Sequence, residues 1–319
     1  MKTKRFISRI MVALAAVIFV SCGTTSTVPI TGRKHKLLVD DAQMLSLSSQ
    51  EYTTYMKTAK ASTDATKTAQ VKRVGQNLAN AVETYLRNNG FAAELNNFKW
   101  EFNLVQNKSA NAFCMPGGKI VVYEGILPLT QTDEGLAIVL GHEIAHAVAK
   151  HSAEQMSKEV RAQYGGQILS GVLSATGVSA NTTNAVTSLY GLGSSLGQLH
   201  YSRSNESEAD WMGLVFAAMA GYDPNYALTF WQRMAQGSQS TTPEFLSSHP
   251  SDAQRISDIQ KHLPEALQYY RQATGTATPA TTTSKKSTKS STKSTKKASK
   301  ASKATTKKTS GKGYSFSTK

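Results

Sequence analysis

The sequence predicts an α+β domain that is mainly helical and contains a small antiparallel sheet. The first observation is that apolar residues recur at helical spacing in several long segments. The second is that only residues 98–107 and 119–125 are β-rich, and a Pro116-Gly117-Gly118 sequence before the second of them predicts a tight turn. The third is the length of 319 residues, which suits one sizeable domain or two small ones.

Basic residues are concentrated at the two ends of the chain, although the net charge of +15 first suggests a nucleic-acid binder. Residues 1–21 and 273–319 hold 16 of the 36 basic residues and no acidic ones, which leaves 20 basic against 21 acidic residues in between. The central region is therefore close to neutral. We predict a signal peptide at 1–21, a tether at 22–39, a folded domain at 40–272 and a disordered tail at 273–319.

The first end is typical of bacterial export signals. A basic start is followed by an apolar run from 10 to 20, which is too short for a permanent membrane helix but suits the core of a signal peptide. The sequence FVSC then resembles the lipobox of bacterial lipoproteins, which predicts lipidation of Cys22 and a lipid-anchored protein in the periplasm, with the outer membrane as the expected site. The alternative is plain secretion with cleavage nearby.

The tail after residue 272 consists largely of Thr, Ser, Lys and Ala, a composition too poor in large apolar residues to fold. We expect either a solvated tail or one that attaches electrostatically to anionic cell-wall or lipid groups. Nucleic acid is not an expected partner for an exported protein.

Several helices are predicted along the chain, and Asn89-Gly90 ends the second of them. A further helix begins after Thr132, whose side chain can cap it, and is expected to run to about residue 160. The segment 164–198 is rich in Gly, Ser and Ala and predicts one or two helices or mobile segments. The remaining predicted helices cover residues 41–60, 72–88, 205–219, 224–236 and 252–262.

The helix after Thr132 contains an H-E-x-x-H sequence formed by His142, Glu143 and His146. Four residues advance a helix by about 6 Å and about 400°, so the two histidines project from one face. Two imidazoles at this spacing can bind one zinc ion, and Glu143 can take a proton from the water bound there. The apolar residues around the motif predict a buried helix. Burying two histidines and a carboxylate costs free energy, which a functional role would explain.

A catalytic zinc usually has three protein ligands and an open position, so a third ligand is needed. Helical geometry turns His151 about 140° away from His146, which favours a packing or hydrogen-bonding role. Glu206 and Asp210 share a helix face, so that one carboxylate can bind zinc while the other accepts the N–H of a ligand histidine. Glu208 should face away as a surface charge. The candidates considered are His151, His200, Glu206, Glu208 and His249.

Several motifs together resemble the zinc metallopeptidase family that includes HtpX, BepA and the prenyl-protein proteases, in particular its LoiP-like periplasmic lipoprotein proteases. The motifs are GHEIAH, then YSRSNESEAD, GYDP and SSHPSDAQRI, with NAFCMPGGKIVVYEG upstream. The resemblance covers about residues 39–262 and implies a gluzincin-type metalloprotease domain with the small sheet beside the motif helix. It also implies one zinc ion per chain, held by His142, His146 and Glu206, with Asp210 supporting a ligand.

The resemblance further implies that Asn111, Ala112 and Phe113 lie in an edge strand that pairs with an extended substrate. His249 and Arg255 match the family's H-P-x-x-x-x-R. They can stabilise the oxyanion formed when water attacks a peptide carbonyl. Alternatively, His249 occupies the open position of the zinc in a resting state, or the pair has only a structural role.

We therefore expect a zinc endopeptidase of the bacterial cell envelope, in which Glu143 takes a proton from water and returns it to the leaving amine. The resemblance implies misfolded or stalled envelope proteins as substrates. The alternative is an envelope chaperone or assembly factor with little proteolysis. A third interpretation is a lipoprotein whose tail binds the cell wall.

Overall fold

The computed structural model describes residues 24–171, 196, 199–237, 243–249 and 253–276. The predicted signal peptide, Cys22, residues 172–195 of the Gly/Ser/Ala-rich segment and almost all of the predicted tail lie outside these residues. The mainly helical α+β class is confirmed. The strands are β1 (Thr24–Thr27), β2 (Lys34–Leu37), β3 (Glu101–Val105), β4 (Ala112–Met115) and β5 (Lys119–Tyr123).

The helices cover most of the folded region, and nine are assigned in the described ranges. They are α1 (Asp41–Thr58), α2 (Ala65–Asn88), α3 (Leu127–Thr130), α4 (Asp133–Val148), α5 (His151–Gly171), α6 (Arg203–Met219), α7 (Tyr226–Gly237), α8 (Glu244–Ser248) and α9 (Ala253–Ala273). None of the helices in the described ranges is long and apolar enough to cross a membrane.

The three-stranded sheet is mixed, so the prediction of an antiparallel sheet is wrong for one of its two pairings. The strand order is β3-β5-β4, with β3 and β5 parallel and β4 and β5 antiparallel. The chain makes a third strand, β4, before the predicted turn, and it is β4 that forms the hairpin with β5. Gly117 and Gly118 in that turn have φ of 89° and 81°, which glycine adopts without strain.

Helix α4 lies in the core and crosses α6 at very short range. A Cβ atom on Gly213 of α6 would lie 2.7 Å from the backbone nitrogen of His142, and one on Gly141 would lie 2.8 Å from the Gly213 carbonyl oxygen. Only glycine at both positions permits this approach. The crossing therefore brings the polar residues of α6 against the H-E-x-x-H motif.

The predicted helix from Thr132 to about 160 is interrupted. Thr132 does cap α4, because its hydroxyl accepts a hydrogen bond from Gly135 N. The helix ends at Val148, however, and Lys150 has a φ of 56°, so α5 starts in a new direction. The Lys150 ammonium is held by Asp41 at 2.7 Å and Glu94 at 2.9 Å. These distant partners stabilise a break that local helix propensity does not predict.

Two further elements differ from expectation. Part of the segment predicted as a tether forms a hairpin of β1 and β2, and Val28, Leu37 and Val39 in or beside it are buried. At the other end, α9 continues through Pro264 to Ala273, beyond the predicted end at 262. Proline removes one backbone hydrogen bond from the helix, and Ala266, two residues further on, is buried in the core.

Candidate metal centre

His142 and His146 lie one turn apart on the buried face of α4, as predicted. Each is about 1% exposed, and their Nε2 atoms lie 3.1 Å apart. Both Nε2 atoms point to the same place between α4 and α6. The helical spacing of the motif therefore produces a convergent pair of nitrogen donors.

Glu206 of α6 completes a set of three donors. Its carboxylate oxygens lie 3.5 Å from His142 Nε2 and 3.4 Å from His146 Nε2. Ser202 caps α6 by accepting from Asn205 N, which places Glu206 in the first turn of the helix. Burial raises the pKa of Glu206, but the neighbouring histidines outweigh burial and hold the pKa far below its usual range.

His249, the residue after α8, occupies the fourth corner of this cluster. Its Nδ1 lies 3.1 Å from His142 Nε2 and 3.1 Å from both oxygens of Glu206. The ligand atoms of His142, His146, Glu206 and His249 all lie within 4.8 Å of one another. Ligands of a tetrahedral ion with bonds of about 2.0–2.2 Å are about 3.3–3.6 Å apart, so the four residues fit one metal ion.

Glu143 lies beside the cluster, at the position of a general base. Its Oε2 accepts a hydrogen bond from Cys114 N at 3.1 Å, while its buried Oε1 has no hydrogen-bond partner in the described part of the chain. The nearest histidine nitrogen to Oε1 is His249 Nε2, at 3.4 Å. Burial raises the pKa of Glu143, which makes this carboxylate a stronger proton acceptor.

Asp210 supports His142, as predicted for the second carboxylate of α6. Its Oδ1 lies 2.8 Å from His142 Nδ1, which leaves the Nε2 lone pair directed at the metal position. Arg255 holds Asp210 from behind through Nε at 2.7 Å and Nη2 at 2.8 Å. The guanidinium also stacks on Trp231, 3.5 Å from the ring centre, and donates to the His249 carbonyl. In this conformation Arg255 is an ion-pair partner of Asp210.

His151 and Glu208 have positions that the sequence did not predict. His151 Nδ1 lies 2.9 Å from His146 Nδ1, and His151 Nε2 lies 3.0 Å from Glu208 Oε2. His151 is thus a hydrogen-bonding residue, but it reaches the site because the helix breaks at Lys150. The prediction that Glu208 is a surface charge is wrong: the residue is 7% exposed because α5 and the N-terminal hairpin cover that face of α6. His200 is exposed and lies outside the cluster.

The three residues predicted to bind substrate backbone lie at the edge of the sheet. Ala112 and Phe113 begin β4, the edge strand, and Asn111 precedes it. All three are less than 7% exposed. The segment around α8 lies against the residues that lead into this edge: Phe245 N donates to Ala110 O at 2.9 Å, and Asn111 Nδ2 donates to Glu244 Oε1 at 3.2 Å.

Tyr201 is a residue of the site that the sequence analysis did not single out. Its ring stacks on His146 with centroids 4.1 Å apart and planes 23° apart, and its hydroxyl pairs with Ser152 Oγ at 2.9 Å. Burial raises its pKa above the usual range, so the phenol stays neutral. The available signal was its place just before the acidic motif of α6.

The helices, the small sheet and the histidine–glutamate cluster together define a gluzincin-type metallopeptidase domain. Residues 65–263 match peptidase family M48, and the chain belongs to this family. It is 38% identical over 177 residues to the mitochondrial metalloendopeptidase OMA1 of Schizosaccharomyces pombe, covering 54% of this chain and 49% of the relative. It is 32% identical over 248 residues to metalloendopeptidase OMA1 of Homo sapiens, covering 75% and 46%.

A third relative is the beta-barrel assembly-enhancing protease of Yersinia pestis, which is 31% identical over 166 residues and is covered to 34% of its length, against 50% of this chain. The chain therefore spans about half or less of the length of these relatives. The metalloendopeptidase names of the two OMA1 relatives agree with the chemistry of the donor set.

Proposed function

We propose that the protein is a zinc-dependent endopeptidase with one zinc ion per chain, held by His142, His146 and Glu206. The convergence of two imidazole nitrogens and one carboxylate on a single buried point supports this proposal. Two histidines and a glutamate with a fourth position available are a ligand set of catalytic zinc sites. Zinc bound there would lower the pKa of a coordinated water to about 7 and would polarise the substrate carbonyl.

Glu143 is the general base in this proposal. Its buried Oε1 has no hydrogen-bond partner among the described residues and lies 3.4 Å from His249 Nε2 of the cluster, and its raised pKa allows it to accept a proton from the attacking water. The same carboxyl then donates that proton to the leaving amine. Cys114 N fixes Oε2, so the carboxylate keeps one orientation while the other oxygen exchanges the proton.

His249 occupies the open position in a resting conformation of the enzyme. Its ring fills the fourth corner of the donor set, where the reacting water and carbonyl must bind, and α8 lies against the residues that lead into the sheet edge at the same time. We propose that α8 and His249 leave together when an extended substrate adds to the edge at Asn111, Ala112 and Phe113. Arg255 stays with Asp210 and orients it.

His249→Ala tests the resting-state role against the catalytic one. If His249 blocks the site, cleavage of a short fluorogenic peptide by the variant rises. An oxyanion stabiliser would instead lose about 10²–10³ in kcat. Unchanged cleavage would mean that His249 has only a structural role.

The export signal and lipobox pattern support a place in the bacterial cell envelope with attachment through a lipidated Cys22. Misfolded or stalled envelope proteins are then the proposed substrates. The name of the Yersinia pestis relative, which refers to β-barrel assembly, agrees with this class. The alternative, an envelope chaperone or assembly factor, retains the same zinc site but cleaves little.

Glu143→Gln tests the enzyme proposal directly, with Glu134→Gln, nine residues earlier on the same helix, as the control. Purified proteins are incubated with casein and with an unfolded outer-membrane protein. We expect Glu143→Gln to retain zinc and lose cleavage, and Glu134→Gln to cleave as the unmutated protein does. Cleavage by Glu143→Gln would contradict its role as the base. A protein that binds zinc but cleaves neither substrate would favour the chaperone.

A further inference from the structure

His146 is connected to the N-terminal hairpin by a continuous series of hydrogen bonds, buried at His146 and His151 and partly buried at the hairpin. His146 Nδ1 lies 2.9 Å from His151 Nδ1, and His151 Nε2 lies 3.0 Å from Glu208 Oε2. Glu208 in turn accepts from Thr31 Oγ1 at 2.6 Å and from Arg33 Nε at 2.8 Å. The two partners of Glu208 in the hairpin are 177 and 175 residues away in the chain.

The contacts come from the turn of the hairpin and from the strand after it, because Thr31 lies in the turn, Arg33 just before β2 and His35 in β2. Thr31 and Arg33 face Glu208, and His35 Nδ1 lies 3.1 Å from Glu154 Oε2. Arg33 Nη2 also bridges the two carboxylates, at 2.7 Å from Glu208 and 2.8 Å from Glu154. The hairpin therefore neutralises and orients two acidic side chains directly behind the metal centre.

Glu208, at the end of the series, determines which ring nitrogens of His151 and His146 carry a proton. Glu208 is an acceptor at this end of the series, because Thr31 Oγ1 and Arg33 Nε both donate hydrogen bonds to its carboxylate oxygens. Glu208 therefore accepts a hydrogen bond from the N–H at His151 Nε2. The other ring nitrogen, His151 Nδ1, then carries a lone pair. That lone pair accepts the Nδ1–H of His146, so the free lone pair of His146 is on Nε2, the atom that faces the metal position.

We propose that Thr31 and Arg33 are positioning residues of the metal centre, which hold Glu208 so that His151 fixes the ring orientation and tautomer of His146. The proposal rests on the proposed ligand role of His146. It gives the N-terminal hairpin a function beyond connecting an anchor to the domain: the metal site is complete only when the hairpin is docked.

The test measures the zinc affinity of the full-length chain by competition with a chelating dye. His151→Gln retains an acceptor for His146 and a donor for Glu208, whereas His151→Phe fills the space with neither. Arg33→Met and Thr31→Val act from the hairpin, where Arg33 is partly exposed and a folding defect is least expected. Arg161→Met is the control, because Arg161 donates to Lys36 O of the hairpin and, among the described contacts, forms no hydrogen bond with Glu208.

We expect His151→Phe to weaken zinc binding by about 10- to 100-fold and Arg33→Met by about tenfold, as for other residues that orient metal ligands. Thr31→Val should weaken it less. His151→Gln and Arg161→Met should bind as the unmutated chain does. Imidazole ¹⁵N shifts of the zinc-loaded protein should show His151 as the Nε2–H tautomer, and Arg33→Met should populate the other tautomer.

Folded Arg33→Met and Thr31→Val proteins with unchanged zinc affinity would overturn the proposal, as would equal affinities for His151→Phe and His151→Gln. Glu206→Ala separates this result from a failure of the ligand assignment. If Glu206→Ala still binds zinc with full affinity, the ligands are wrong. If Glu206→Ala loses zinc while the hairpin variants do not, only the role of the hairpin is wrong.

Discussion

The two histidines of the motif have the same requirement and are supported in different ways. Each must place a proton on Nδ1 so that Nε2 faces the metal. His142 Nδ1–H donates a hydrogen bond directly to Asp210, which lies on the same helix as Glu206. His146 Nδ1–H donates to a second imidazole, His151, and His151 in turn donates to the carboxylate of Glu208. One support is a neighbouring side chain, and the other extends to the N-terminus of the described chain.

The difference affects the basicity of the two rings. Burial lowers the pKa of His142, but hydrogen bonds with Asp210 and Glu206 outweigh it and raise the pKa to about 9. Burial also lowers the pKa of His146, and there the pKa stays well below its usual value. A carboxylate partner thus makes His142 the stronger base, and the His146 side depends more on precise orientation. This contrast leads to four predictions.

The largest effect is expected from Glu206, which both histidines share. Glu206→Ala removes the only carboxylate donor of the cluster, so the two supports no longer act on a complete site. We expect loss of bound zinc and of cleavage, measured by metal analysis after dialysis and by casein digestion. The matched change Glu134→Ala should alter neither. A Glu206→Ala protein that retains one zinc per chain would show that Glu206 is not a ligand, and the comparison of the two histidine supports would lose its basis.

Asp210→Asn tests the direct support. The change removes the charge that makes His142 basic and weakens the ion pair with Arg255. Zinc affinity should fall by about 10- to 100-fold, in the range for residues that orient metal ligands. His151→Gln, on the other side, should change it much less. Equal losses in the two variants, measured by chelator competition, would remove the distinction between the supports.

Gly213→Ala tests the helix crossing that brings the supports together. The added methyl would lie 2.7 Å from His142 N, so the helices must move apart. We expect a loss of about 1–3 kcal/mol in the free energy of unfolding, the usual range for an overpacked core. Urea unfolding measures it, and zinc affinity should fall with it. Unchanged stability would show that the crossing is looser than the geometry indicates.

The smallest effect concerns the pH dependence of hairpin docking. Burial raises the pKa of Glu154, but hydrogen bonds from His35, Arg33 and Lys158 outweigh it and hold the pKa far below the ordinary 4.5. A carboxyl with a lowered folded-state pKa contributes stability above its unfolded pKa and loses it as the pH falls towards the folded value. The contribution is therefore complete above about pH 5 and declines below pH 4.5.

Glu154→Gln should reduce stability at pH 7 and flatten its decline between pH 5 and pH 3, as measured by thermal melting. Glu159→Gln on the same helix is the control, since Glu159 accepts its hydrogen bond from Gln155 of that helix. Parallel pH profiles for Glu154→Gln and the unmutated chain would contradict this account of the hairpin contact.

The sequence predicted those parts of the site that depend on the period of a single helix. His142 and His146 share a face of α4, and Glu206 and Asp210 share a face of α6, because residues four apart always do. Glu208 was predicted wrongly because the face opposite Glu206 was assumed to be exposed. The structure buries that face against other elements, which no local pattern shows.

The position of His151 could not be predicted from helical periodicity. Continuation of the helix would turn it away from His146, but the break at Lys150 redirects it, and that break is stabilised by Asp41 and Glu94, which lie 109 and 56 residues away. The parallel pairing of β3 with β5 was missed for a related reason, since it depends on an intervening strand of four residues. Non-local contacts therefore set both features.

The central claim is that one metal ion is held between α4 and α6. The most direct measurement is an anomalous difference map at the zinc edge from crystals of the zinc-loaded protein. The account predicts one strong peak about 2.0–2.2 Å from His142 Nε2, His146 Nε2 and a Glu206 oxygen. A peak elsewhere, or a map with Glu206 far from the peak and no other acid in its place, would contradict it.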